Sequence, residues 1–106
     1  MLAMALKLPV TEERINEILF KKETLSDQEQ FMLKYLRLAA QHRIYITTHK
    51  GIDSPFLETM GEMETRAYQY ELFMDDLDQL ITLVTRHYPT GSKLNGLVAA
   101  ITKRLG

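Results

Sequence analysis

An apolar seam runs from Phe56 to Tyr88 in alternating steps of four and three residues. This spacing is the heptad pattern of a helix that packs along its whole length against other helices. Every position of the seam is apolar or aromatic: Phe56, Met60, Met63, Ala67, Tyr70, Met74, Leu77, Ile81, Val84 and Tyr88. The pattern predicts one long helix over residues 54–88 and places the protein in the all-α class.

Two further helices are predicted before the seam from their capping residues. Thr11 is a good N-cap for a first helix over about residues 11–23, with acidic residues in its first turn. Ser26 and Glu29 have the spacing of a capping box, in which each side chain accepts a hydrogen bond from the backbone N–H of the other residue. The second helix therefore begins just after Ser26.

The end of the second helix is ambiguous in the sequence. Residues 44–48 read IYITT, and such β-branched and aromatic residues also favour a short strand. Because no second strand is evident for pairing, we expect the helix to continue to Lys50–Gly51. After the seam, Ser92 is expected to cap a short last helix.

The chain of 106 residues is long enough for one domain with a modest core and too short for two. We therefore predict a single helical domain over residues 1–106, built as a bundle of four helices. A break at Gly61, where a glycine weakens the long helix, would make five.

The length of the predicted third helix indicates self-association. A helix of about 34 residues is roughly 50 Å long, whereas a compact domain of this size is only about 35 Å across. Part of the seam would then face water unless a second chain covered it. We predict a homodimer whose contacts come from Met63, Tyr70, Met74, Leu77, Ile81 and Val84; a monomeric bundle kinked at Gly61 is the alternative.

The charges are unevenly distributed, although the net charge is only −1. Residues 51–80 carry eight acids and one base, whereas residues 81–106 carry four bases and no acid. Within the acidic part, an acidic row is formed by Glu71, Asp75 and Asp78 at helical spacing. We expect this row to face solvent or, together with Tyr68, to bind a protein partner of unknown identity.

Residue patterns that would support catalysis or cofactor binding are not recognisable. The acidic row lacks the loop that wraps Ca²⁺, and His42 and His49 are too far apart on one helix to share an ion. The absence of Cys excludes disulfides and Cys-based zinc sites, and residues 90–93 lack the spacing of a phosphate loop. We therefore expect no enzyme activity, cofactor or metal.

The function best supported by these patterns is that of a small adaptor or regulator acting through protein–protein interaction. The alternative is a dimeric transcription regulator that binds nucleic acid through Lys34, Arg37 and Arg43 on the outer face of the second helix. The N-terminal residues 1–8 fail as a signal peptide and are expected to dock on the core. No apolar run approaches the roughly 18 residues of a membrane span, so we expect a cytoplasmic protein without membrane contact.

Overall fold

The computed structural model describes residues 9–89 and 91–106, and over these ranges it is all-helical. The helices are α1 (Glu12–Phe20), α2 (Asp27–Thr48), α3 (Phe56–Arg66), α4 (Met74–His87) and α5 (Gly91–Leu105). A 3-10 turn, Ala67–Tyr70, separates α3 from α4. The predicted all-α class is confirmed. The expected docking of residues 1–8 lies outside the described residues.

The predicted starts of the first two helices are confirmed. Thr11 Oγ1 accepts a hydrogen bond from the Arg14 backbone N–H at 3.1 Å. The capping box of α2 is complete, because Ser26 Oγ accepts from Glu29 N–H at 3.1 Å and Glu29 Oε1 accepts from Ser26 N–H at 2.9 Å. Residues 44–48 are helical as expected, and α2 ends at Thr48.

Helix α2 is the central element of the core. It contacts α3, α4, α5 and the 3-10 turn, and its buried residues lie between Glu29 and Ala40. This explains why its buried residues are not confined to one stripe: Phe31, Met32, Leu33, Tyr35, Leu36, Ala39 and Ala40. The other helices present single apolar stripes to the same core cluster.

Arg104 of α5 connects the last helix to the end of the first. Its Nε donates to the carbonyl oxygen of Ile18 at 3.1 Å, and its Nη2 donates to the carbonyl oxygen of Lys22. The last carbonyls of a helix lack intrahelical partners and carry partial negative charge, so a guanidinium is well suited to them. Lys22 in turn pairs with Glu29 of the α2 capping box, which ties α1, α2 and α5 together.

The prediction of one continuous helix over residues 54–88 is wrong. Helix α3 ends at Arg66, and α4 begins only at Met74. Between them Glu71 adopts a left-handed backbone conformation with φ of 60°. Gly61 lies inside α3, so the predicted position of a possible break is wrong as well.

Burial of Leu72 explains why the chain breaks here. A continuous helix would place Leu72 on the opposite side from Met63, since nine residues make about two and a half turns. In the observed structure, where α3 and α4 are separate, the side chains of Met63 and Leu72 are both buried in the core, and Leu72 is only 1% exposed. Burying a leucine side chain contributes about 1.5–3 kcal/mol, which offsets the roughly 1–2 kcal/mol that a left-handed residue such as Glu71 costs.

The polar groups of the break are also satisfied. The backbone N–H of Leu72 donates to the carbonyl of Ala67 at 3.1 Å, and Gln28 Nε2 donates to the carbonyl of Tyr70 at 2.8 Å. The buried carboxylate of Asp76 accepts a hydrogen bond from the Phe73 backbone N–H at 2.7 Å. This last contact fixes the first turn of α4.

We expect Asp76→Ala to lower the free energy of unfolding by about 1–2 kcal/mol, as the loss of a helix cap does. Asp75→Ala is the matched control, because Asp75 is exposed in the same helical turn and surface substitutions usually change stability by less than about 0.5 kcal/mol. Urea denaturation followed by circular dichroism measures both. Equal effects of the two substitutions would contradict the capping role of Asp76.

Candidate interaction surface

A shallow groove lies between α3 and α4, with α2 forming its floor. Its volume is about 340 Å³. Ala39 and Ile46 of α2 line the floor, Leu57, Met60 and Gly61 line the α3 wall, and Ile81, Val84 and Thr85 line the α4 wall. Most of these side chains are apolar, so this α3–α4 groove is suited to apolar groups of another molecule.

Large apolar side chains remain exposed at the rim of this groove. Leu57 is 49% exposed on α3, and Ile81 is 36% exposed on α4. Met74, 53% exposed, shares a face of α4 with Ile81, because seven residues make about two helical turns. The apolar surface therefore extends from the groove towards the first turn of α4.

The residues of the predicted dimer seam separate into a buried and an exposed group. Met63, Leu77 and Val84 belong to the core, and the half-buried Tyr70 stacks on Phe31 with ring centroids 4.9 Å apart. Met74 and Ile81 are exposed. Any contact with a second chain through the seam is therefore restricted to these last two residues and their neighbours.

The break between α3 and α4 carries a second exposed surface, the aromatic edge, formed by Tyr68, Phe73 and Met74. Tyr68 is 64% exposed and Phe73 is 58% exposed. The exposed acids Glu71 and Asp75 lie in the same segment. The sequence predicted Tyr68 as a contact residue, but it did not predict Phe73, whose exposure depends on the position of the break.

The acidic row does not lie on one helix. Glu71 precedes α4, whereas Asp75 and Asp78 are on α4. All three carboxylates are exposed, as expected. The row is therefore divided between Glu71 and Asp75, which lie in the same segment as the aromatic edge, and Asp78, which lies further along α4.

Glu64, which lines the α3–α4 groove, is hydrogen-bonded to a buried tyrosine. Tyr35 is fully buried on α2, and its hydroxyl donates to Glu64 Oε2 at 2.8 Å. Burial, then the hydrogen bond to Glu64, and then the negative charges of Glu64 and Asp78 raise the pKa of Tyr35. The hydroxyl therefore stays protonated as a neutral donor, which makes it unsuitable as a base or nucleophile at neutral pH.

The three basic residues of the nucleic-acid hypothesis contact different parts of the fold. Arg37 Nη1 donates to Thr102 Oγ1 of α5 at 3.2 Å, whereas Arg43 lines the α3–α4 groove. Lys34 is exposed on α2. A single basic surface made of all three residues is therefore not evident, and nucleic-acid binding stays a prediction.

The three histidines take part in local contacts. His49 stacks on Tyr45 with ring centroids 3.9 Å apart, His87 Nδ1 lies 2.8 Å from Glu12 Oε2, and His42 lines the groove. Over residues 9–89 and 91–106, no three His, Asp or Glu side chains are grouped so that they could hold a metal ion.

None of the helices in the described ranges is long and apolar enough to cross a membrane. Comparisons with known protein families, with curated proteins and with solved structures found no match. The α3–α4 groove and the aromatic edge are the surfaces of the described residues that favour binding of another molecule.

Leu77→Glu and Ile81→Glu test the division of the seam into core and surface. Leu77 is fully buried, whereas Ile81 is 36% exposed on the same helix. We expect Leu77→Glu to abolish cooperative folding, because an unpaired buried charge costs several kcal/mol. Ile81→Glu should change the free energy of unfolding by less than about 1 kcal/mol. Thermal denaturation followed by circular dichroism measures both, and equal loss of structure would contradict the assigned orientation of α4.

Proposed function

We propose that the protein is a small non-enzymatic adaptor or regulator that acts by binding other proteins and that forms a homodimer through α3 and α4. The observation that carries this proposal is the location of its exposed apolar side chains. Among the described residues seven large apolar side chains are exposed, and five of them lie between residues 57 and 81: Leu57, Tyr68, Phe73, Met74 and Ile81.

Exposed apolar side chains that lie together indicate a binding site more strongly than isolated exposed apolar side chains do. Single exposed apolar residues are normal in folded proteins, whereas contiguous patches mark interaction sites. Covering such groups contributes about 25 cal/mol per Å² of apolar surface removed from water. Aromatic residues and Met are also enriched in the buried centres of protein interfaces.

The aromatic edge is the surface we assign to the protein partner. Tyr68 and Phe73 supply two rings, and the acids Glu71 and Asp75 lie beside them. Apolar groups bordered by negative charge favour a partner that presents apolar side chains together with Lys or Arg. The aromatic edge lies in the part of the chain that carries eight acids and one base, which supports this preference.

Site-specific photo-crosslinking tests this assignment. A photoreactive phenylalanine analogue placed at Phe73, in lysate of the cells that make the protein, should form a discrete adduct with another protein. The same analogue at Phe20 is the matched control, since Phe20 is 70% exposed on α1. We expect the adduct at position 73 to disappear when Glu71→Lys and Asp75→Lys are introduced, because the charge complementarity is then reversed.

Two results of this experiment would contradict the assignment. One is the same set of adducts at positions 20 and 73, which would indicate non-specific contact by exposed rings. The other is an adduct at position 73 that persists unchanged when both acids are reversed. Circular dichroism of each variant establishes that the fold is retained.

A further inference from the structure

The residues that precede α1 follow α4 towards its first turn. Glu12 Oε2 lies 2.8 Å from Nδ1 of His87, the last residue of α4. Two residues earlier in the chain, the Val10 backbone N–H donates to Gln79 Oε1 at 3.3 Å. Gln79 precedes His87 by eight residues, or about 12 Å along the helix. This course directs the residues before Val10 towards the start of α4.

Pro9 lies on the side of the bundle where the break between α3 and α4 is found. It lines a shallow cavity together with Arg14 and Glu29. Arg14 Nη2 donates to Gln28 Oε1 at 3.3 Å, and Gln28 Nε2 donates to the carbonyl oxygen of Tyr70 at 2.8 Å. The described part of the chain therefore begins close to the aromatic edge.

Residues 1–8 have the chemistry that the aromatic edge favours in a partner. They read MLAMALKL, which is seven apolar residues and one lysine, with no acid. The aromatic edge presents apolar side chains, and the exposed acids Glu71 and Asp75 lie in the same segment. The two surfaces are therefore complementary both in apolar character and in charge.

The length of chain before Val10 is sufficient for this contact. Asp75 and Gln79 are four residues apart on one face of α4, which is about 6 Å. Lys7 precedes Val10 by three residues, and three extended residues span about 10 Å. Lys7 can therefore reach Asp75, and the apolar residues before Lys7 can reach the first turn of α4 and the rings beyond it.

We propose that residues 1–8 cover the aromatic edge of their own chain, with Lys7 beside Asp75 and residues 1–6 on Tyr68, Phe73 and Met74. This inference rests on the proposed function, because residues 1–8 then compete with the protein partner for the same surface. The segment regulates binding, since a partner must displace it.

The covalent connection is the reason for choosing residues 1–8 of the same chain over those of a second copy. A segment joined to its site by a short linker has an effective concentration in about the millimolar range. A second copy at micromolar concentration competes poorly with it. The apparent affinity of a protein partner falls in proportion to the fraction of molecules in which the edge is uncovered.

Engineered cysteine pairs test the location of residues 1–8, because the chain contains no Cys of its own. Met4→Cys combined with Met74→Cys should form a disulfide within one chain, since two cysteines pair only when their Cα atoms approach to about 4.4–6.8 Å. Met4→Cys with Arg86→Cys is the matched control. Arg86 is also exposed on α4, but it lies beyond Gln79 in the opposite direction.

The extent of disulfide formation in a glutathione buffer, measured by gel mobility under non-reducing conditions, distinguishes the outcomes. We expect the pair at positions 4 and 74 to be the more oxidised of the two, at a level independent of protein concentration. Equal oxidation of both pairs would overturn the inference. So would a disulfide at positions 4 and 74 that forms between chains, or preferential pairing of Met4→Cys with Gly61→Cys in the α3–α4 groove.

Reversal of the Lys7 charge tests the predicted pairing with Asp75. Lys7→Glu should lower the oxidised-to-reduced ratio of the pair at positions 4 and 74 by about two- to fivefold, the range of an exposed ion pair. Addition of Asp75→Lys should restore the ratio. Lys34→Glu is the matched control, because it changes the net charge equally at an exposed position of α2. Equal effects of Lys7→Glu and Lys34→Glu would contradict the pairing.

Photo-crosslinking at position 73 tests the competition and separates it from the proposed function. In the full-length chain, Lys7→Glu should raise the yield of the partner adduct by the same factor of about two to five, whereas Lys34→Glu should not. An unchanged yield would overturn the competition. Absence of any adduct at position 73 would contradict the proposed partner binding, while the disulfide between positions 4 and 74 measures the contact of residues 1–8 independently.

Discussion

The short break between α3 and α4 is the constraint on which the arrangement of the described helices depends. Glu71 accepts a left-handed backbone conformation so that Leu72 can be buried. Asp76 then satisfies the backbone N–H of Phe73 and starts α4, while Gln28 of α2 holds the carbonyl of Tyr70. The energy gained by burying one leucine is comparable to the conformational cost of the break, so the capping contacts favour the observed structure.

The surface follows from the same break. Because α3 and α4 are separate helices, both can pack along α2 and leave a groove between them. The turn that joins them exposes Tyr68 and Phe73 beside acidic residues. An uninterrupted helix would have carried its acids in one row and its apolar residues in one seam. The break instead produces the mostly apolar α3–α4 groove and the aromatic edge with its acidic neighbours.

Structural features determined by residues close together in the sequence, such as helix caps, were predictable from the sequence. Thr11 and the Ser26–Glu29 pair cap their helices as expected, and the all-α class is confirmed. The break was not predicted, because Met63 in α3 and Leu77 in α4 fit one heptad pattern across it. Asp75 and Asp76 form an acidic first turn typical of a helix start, but the helical spacing of Glu71, Asp75 and Asp78 predicts a surface row instead. Whether Leu77 or Ile81 faces the core depends on how α4 packs against α2. Local sequence patterns do not specify this packing.

The change in the free energy of unfolding caused by Glu71→Gly tests the break most directly. A break at residue 71 and a continuous helix through it predict changes of opposite sign. Glycine adopts the left-handed conformation without strain, so the substitution should raise the free energy of unfolding by about 0.5–1 kcal/mol. Glu62→Gly is the control inside α3 and should lower it by about 1 kcal/mol. If Glu71→Gly also lowers the free energy of unfolding by about 1 kcal/mol, residue 71 lies within a continuous helix, and a break between α3 and α4 is contradicted.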